Sequence, residues 1–163
     1  MGVDPGLVAT GFAVLEAAPG AVTVLDAGVI TTVATQSLEA RLNAIHRAVL
    51  DIIESRRPAF LVVEDLYTEY KFPRTAILMG HARGVICLAA RQLGVAVTAL
   101  APSEVKRAIT GNGGAGKAQV QRSVQTLLGL ADLPRPSHVA DALGLAVTGL
   151  SRVTGVTPKR AAR

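Results

Sequence analysis

Cysteine, tryptophan and histidine are nearly missing from these 163 residues, which hold one Cys, no Trp and three His. A single thiol cannot close an internal disulfide, and Cys87 with the scattered His46, His81 and His138 has no zinc-ligand spacing. A disulfide scaffold and a structural zinc fold are thereby excluded, and Cys87 is expected in the core. Long apolar runs are lacking too. The most hydrophobic stretch, 84–102, is broken by Arg91 and Gln92, so no segment of about 18 uncharged apolar residues is available to cross a bilayer. No Lys or Arg precedes Arg41, so the basic start of a secretory leader is missing and a cytoplasmic location is expected. Gly (16) and Pro (8) are too many for a bare helix bundle and too few for a low-complexity chain. One compact domain of ordinary size is expected over residues 1–150, followed by a basic, flexible tail at 151–163.

Negative charge is scarce in the second half. Residues 1–70 hold 4 basic and 9 acidic side chains, residues 71–163 hold 13 basic and 3 acidic, and no acid follows Asp141. A net charge of +5 concentrated this way suits a polyanionic partner, because Lys and Arg supply sequence-independent affinity for a nucleic-acid backbone. Aromatics are few, yet Tyr67, Tyr70 and Phe72 fall within six positions, interleaved with Lys71 and followed by Arg74. Exposed rings beside cations are platforms on which bases stack; the alternative is that Phe72 and one Tyr cap the core where a helix begins after Pro73.

The patterning gives an element order of βββαβαβααα. Val3 leads into Asp4-Pro5-Gly6, and the β-branched stretches 10–16 and 21–32 are bounded by Pro-Gly turn signals, so three strands come in succession. Leu38, Leu42, Ile45, Val49, Ile52 and Ile53 recur at helical spacing after Ser37, a candidate cap. Phe60-Leu61-Val62-Val63 is a strand covered on both faces, ending at Glu64. A helix over 75–93, a strand over 95–100 and helices over 103–109, 117–128 and 137–150 complete the order. An α/β fold is expected, with a five-stranded mixed sheet of three antiparallel strands and two parallel additions, flanked by helices.

Asp4 and Glu64 thus stand at edges of a core sheet, where carboxylates seldom sit without a partner. His138 and Asp141 are three apart on the last helix and share a face that can be laid against the same sheet edge. Carboxylates with one imidazole suit hard divalent cations such as Mg²⁺ or Mn²⁺, and like charges so close would repel without one. Asp65, after Glu64, should point to the opposite face.

The stretches Gly2-Val-Asp-Pro-Gly6 with Thr10-Gly11, Val62-Val-Glu64, His81-Ala-Arg-Gly84, Pro102-Ser-Glu-Val-Lys106, Gly111 to Val120 and His138-Val-Ala-Asp-Ala142 occur in this order. The chain from Gly2 to about Leu150 thereby resembles the RuvC-type Holliday junction resolvases of bacteria. The resemblance implies a ribonuclease H-like fold and a structure-selective endonuclease that cuts two strands of a four-way DNA junction. It implies a catalytic, metal-binding set Asp4, Glu64, His138 and Asp141, the third position being Asp or His in the family. Two Mg²⁺ ions per site, with Mn²⁺ as a substitute, are expected to serve hydrolysis. Tyr67 matches an aromatic that stacks at the junction, and Lys106 and Lys117 match basic residues of cleavage or binding. Lys71 and Arg74 join them as candidate DNA contacts. A homodimer is implied by the two strands to be cut, and a branch-migration complex of RuvA and RuvB type proteins is the expected partner.

Three other readings compete. Gly111 to Gly116-Lys117 approximates a P-loop, but Ala118 replaces the Ser or Thr that Mg²⁺ requires, and the loop follows a helix pattern instead of a strand. A sugar-kinase or actin type of nucleotide-binding fold shares the Asp, Gly and Thr of the first hairpin, yet needs two related domains. A non-cleaving junction-binding module would keep the basic half with no need of Glu64, His138 and Asp141.

Overall fold

The computed structural model describes residues 1–18, 21–66 and 73–156. Tyr67, Tyr70, Lys71 and Phe72, the Pro19-Gly20 turn, and Lys159, Arg160 and Arg163 of the basic tail lie outside the described residues.

The chain begins on a very short strand, β1 (Gly2–Asp4), followed by a long hairpin of β2 (Ala9–Ala18) and β3 (Ala21–Thr31). Helix α1 (Leu38–Arg56) leads into β4 (Phe60–Glu64), helix α2 (Pro73–Gln92) into β5 (Ala96–Leu100), and α3 (Pro102–Thr110), α4 (Lys117–Leu128) and α5 (Ser137–Thr154) close the chain. The expected order of elements is therefore observed. The sheet runs β3-β2-β1-β4-β5, with β1 antiparallel to β2, parallel to β4, and β5 parallel to β4.

Helices cover both faces of the sheet. Leu61 and Val63 point to one core with Ile45, Val49 and Ile53 of α1 and Ala82, Ile86 and Ala89 of α2. Val62, between them in the strand, points to the other with Val105, Val120, Val124, Val139 and Leu143 from α3, α4 and α5. Burial on alternate sides explains why β4 is apolar without alternation. Helix α5 is buried continuously from Ala142 through Leu150, and it reaches the sheet through glycines. A Cβ on Gly2 would stand 2.3 Å from the Ala142 carbonyl oxygen, and one on Gly149 would strike Val62.

Some expectations shift. Helix α5 continues to Thr154, and Arg152 pairs with Glu104, so the segment from residue 151 starts as helix and not as tail. Cys87 is half-buried and packs at the margin of the α1–α2 core instead of within it. Ser37 occupies the cap position of α1 with extended backbone, but its side chain makes no capping hydrogen bond. Gly111–Gly116 follows helix α3, not a strand, which removes the context of a P-loop. No helix among the described residues is long and apolar enough to cross a membrane.

Candidate active site

The site is built where two inner strands end. β1 and β4 are parallel neighbours in the middle of the sheet, so Asp4 and Glu64, their last residues, emerge side by side at the carboxyl ends and not at a lateral edge. Carboxyl ends of parallel strands are where open α/β sheets place ligands. Asp4 is buried, with 7% of its surface exposed.

The turn after Asp4 is fixed by three side chains. Thr10, fully buried, donates its hydroxyl to the Gly6 carbonyl oxygen (2.7 Å) and accepts from the Gly6 N–H (3.3 Å). Arg41 in the first turns of α1 donates to the Leu7 carbonyl oxygen (3.2 Å) and to the Thr32 hydroxyl (2.8 Å), while that hydroxyl donates to the same Leu7 oxygen (2.6 Å). These contacts hold the backbone behind a buried carboxylate, which otherwise has every reason to swing toward water.

His138 arrives from the start of α5. In the β1–β2 ladder Asp4 lies opposite Gly11, and Gly11 has no side chain to keep α5 away: a Cβ there would stand 2.1 Å from the His138 carbonyl oxygen. The helix therefore lands on the strand, and His138 Nδ1 comes within 2.7 Å of Asp4 Oδ2. Asp141, one helical turn on, shares the field of the same group.

Electrostatics binds the remaining members together. Burial pushes the Glu64 carboxyl up to about 8, with the charges of Asp4 and Asp141 pushing the same way. Burial likewise lifts Asp141 to about 6, aided by Asp4. Asp4 is raised as well, since burial outweighs the hydrogen bond and charge of His138 and the charge of Lys117. Lys106 and Lys117, from α3 and the start of α4, oppose these rises and so stand within electrostatic reach of the acids. Arg74 is exposed in the first turn of α2, ten residues after Glu64 in the chain. Asp65 pairs with Arg83 of α2, a helix on the face of the sheet opposite α5.

Four ligand-type side chains thus share one end of the sheet, while Tyr67 and Lys71 lie outside the described residues. Among the described residues no three His, Cys, Asp or Glu side chains are drawn tightly enough to form a finished metal cage; Asp4 and His138 touch, and the others interact through their fields. Carboxylates that resist ionising together, beside one imidazole, are a donor set that fits a hard divalent cation, whose charge would offset both the burial and the repulsion. Sequence reasoning missed Gly11, Thr10, Arg41 and Arg83 as parts of the site. The first, second and fourth lie inside the matching stretches, but only the register and the packing give them a role.

The family model described as crossover junction endodeoxyribonuclease RuvC matches residues 1–149. The chain belongs to the RuvC family. Its RuvC relatives include those of Rhodopirellula baltica, 42% identical over 149 residues that span 91% of this chain and 84% of that one, and Moorella thermoacetica, 44% identical over 147 residues, or 90% and 87%. Among solved structures it is similar to T. thermophilus RuvC in complex with a Holliday junction substrate, with a TM-score of 0.85, 34% identity and 96% of each chain covered. The yeast mitochondrial Holliday junction resolvase Ydc2 shares the fold alone, at a TM-score of 0.60 and 10% identity over 89% of this chain and 74% of that one. The five-stranded sheet flanked by helices is accordingly the ribonuclease H-like fold of RuvC, which removes the two-domain sugar-kinase or actin reading.

Proposed function

We propose that this chain resolves four-way DNA junctions by metal-dependent nicking of two strands, with Asp4, Glu64, His138 and Asp141 as the catalytic, cation-holding set. The observation that carries the reading is their gathering at one end of the sheet beside Lys106 and Lys117. A non-cleaving binding module would have no use for buried acids that stay partly protonated at the cost of stability.

Two divalent cations, Mg²⁺ or Mn²⁺, suit this donor set. Bound there, they supply Lewis-acid polarisation of the scissile phosphate and of an attacking water. Asp4, backed by the clamped turn, would hold the cations together with Glu64, His138 and Asp141. Lys106 and Lys117 hold the phosphate against three acids that would otherwise repel it. Tyr67, three residues beyond Glu64, would stack on a base at the crossover; Lys71, Arg74 and the basic residues after Leu150 would add backbone contacts. The folded unit that closes with α5 at Thr154 would then be the nuclease unit, to which RuvA and RuvB type proteins would deliver the junction.

A junction with two equivalent strands to cut calls for a two-fold dimer. The exposed face of α2 would be the surface for the second copy. Ile77 and Leu88 are 61% and 51% exposed and share a helix face with His81 and Gly84, while Leu93 after α2 and Val97 on β5 are exposed as well. Two large apolar side chains exposed on one helix face would suit a partner surface.

The test is incubation with a synthetic four-way junction, with and without Mg²⁺ or Mn²⁺, and with linear duplex as control. Paired, symmetric, metal-dependent nicks confined to the junction are expected. Binding without cutting in either metal would return the reading to a junction-binding module. Size-exclusion with light scattering should show a dimer that Ile77→Asp or Leu88→Asp converts to monomer.

A further inference from the structure

The segment leaving β4 is held in three places. Asp65 donates its backbone N–H to the Leu100 carbonyl oxygen on β5 (2.9 Å), and its Oδ1 accepts from the backbone N–H of Leu66 (3.0 Å). The third hold comes from a side chain. Arg83, midway along α2, donates from Nε to the Glu64 carbonyl oxygen (3.3 Å) and brings Nη2 within 3.5 Å of Asp65 Oδ1. The Arg83 side chain is mostly covered, while that of Asp65 is more exposed.

This contact has features of a support for the site. A guanidinium is a rigid fork, so one arm can fix a backbone carbonyl while the other takes a carboxylate; a lysine ammonium cannot reproduce that planar pair. Glu64 shares its end of the sheet with Asp4 and Asp141, so the position of its backbone sets how the acids can meet around a cation. The helix that carries the fork is itself firmly seated. Ala82, Ile86, Ala89 and Ala90 are buried in the core against α1, and His46 Nε2 and Gln92 Oε1 join the two helices at 2.7 Å. Arg83 also precedes Gly84 of the exposed α2 face, so the helix offered to a second copy is the helix that grips β4.

We infer that Arg83 is a positioning residue, which from α2 locks the carboxyl end of β4 and so presents Glu64 to the divalent cation and the scissile phosphate. The inference rests on the nuclease reading above. Arg83 touches neither substrate nor cation; it acts through Glu64.

Four proteins test this: the parent, Arg83→Gln, Arg83→Lys and Asp65→Asn. The measurements are Mn²⁺ binding to the DNA-free protein by calorimetry, hydrogen exchange of the Asp65 amide, junction binding in EDTA, thermal unfolding and junction cleavage. Arg83→Gln should weaken Mn²⁺ binding by about tenfold or more, the loss expected when a partner behind a metal ligand is removed. Exchange at the Asp65 amide should quicken, junction binding in EDTA should stay at the parental level, and cleavage should recover as Mn²⁺ is raised. Arg83→Lys should fall between the two. Asp65→Asn, which keeps the Leu66 bond and the Arg83 bond to Glu64, should shift Mn²⁺ binding less than Arg83→Gln does. Parental Mn²⁺ affinity in Arg83→Gln overturns the inference, as does a loss of junction binding matching the loss of cleavage, since that would make Arg83 a DNA contact. Should Arg83→Gln not fold, parental Mn²⁺ affinity in Arg83→Lys overturns it equally. If the parent cuts no junction, the nuclease reading fails, while Mn²⁺ binding and amide exchange still judge Arg83.

Discussion

His138 Nδ1 stands 2.7 Å from Asp4 Oδ2, although the two residues are 134 positions apart in the chain. The pair joins the first strand to the last helix, and it already brings together one carboxylate and the imidazole of the set. Asp4→Asn keeps a side chain that can hydrogen-bond His138 but removes the negative donor. Junction cleavage should fall by several orders of magnitude, while binding in EDTA changes little because Lys106 and Lys117 remain. His138→Asp should retain measurable cutting, since an acid can take the same place, and His138→Ala should retain far less. Cleavage gels run beside a binding assay read both arms, and an Asp4→Asn variant that cuts like the parent would remove Asp4 from the donor set.

Proton linkage makes a second prediction. Glu64 keeps its proton up to about 8 and Asp141 up to about 6 in the folded chain, whereas the unfolded chain loses them near the ordinary 4.5 and 3.8. Inside those windows the folded state binds more protons, so stability falls as pH rises. In chelator the parent should lose Tm relative to Glu64→Gln between about pH 4.5 and 8. Each kcal/mol corresponds to about 2–4 °C in a chain of this size. Mn²⁺ should reverse the loss and release protons at pH 7, visible as a buffer-dependent heat. A parent and a Glu64→Gln variant with parallel Tm profiles would show that Glu64 titrates normally.

Much of this fold is legible in the amino-acid pattern. Helical and strand periodicities locate the elements, most plainly in β4, where Leu61, Val62 and Val63 are apolar in succession because both faces are covered. Asp4 and Glu64 are readable as carboxylates ending buried strands. Three things are not readable. Which strands are neighbours depends on β1 lying between β2 and β4, a choice that no local pattern makes. Gly11 reads only as a residue of the second strand until the register sets it opposite Asp4 and beneath His138. Arg41 and Arg83 look like solvated helix charges, and their roles come from carbonyl oxygens that only the folded backbone presents.

The lysines allow a third prediction. Lys106 and Lys117 come from different helices yet both act on the field of Asp141, so they flank the place where a phosphate would lie. Lys106→Ala and Lys117→Ala should each weaken junction binding at low salt and reduce the dependence of log K on log[salt] by about one unit. Affinity that ignores salt in the parent would mean that phosphate contacts do not hold the junction.

The last prediction concerns Gly11, where the geometry leaves no room. A Cβ would stand 2.1 Å from the His138 carbonyl oxygen, 2.6 Å from its carbonyl carbon and 3.1 Å from its Cβ. The first two are backbone atoms, so no rotamer change relieves the clash, and the start of α5 must move off the strand. Overpacking of this kind costs about 1–3 kcal/mol, which the rest of α5, buried through Leu150, can absorb without unfolding. Gly11→Ala should therefore fold with a lowered Tm but lose most junction cleavage, because the displaced helix start carries His138 away from Asp4. The imidazole signals of His138, followed by NMR, should shift in the variant. Gly80→Ala is the control: its Cβ would meet only the end of the Leu66 side chain at 3.6 Å, and a helical Gly→Ala change is favourable by up to about 1 kcal/mol. If Gly11→Ala cuts as fast as Gly80→Ala, then the close approach of β2 to α5 does not set the position of His138.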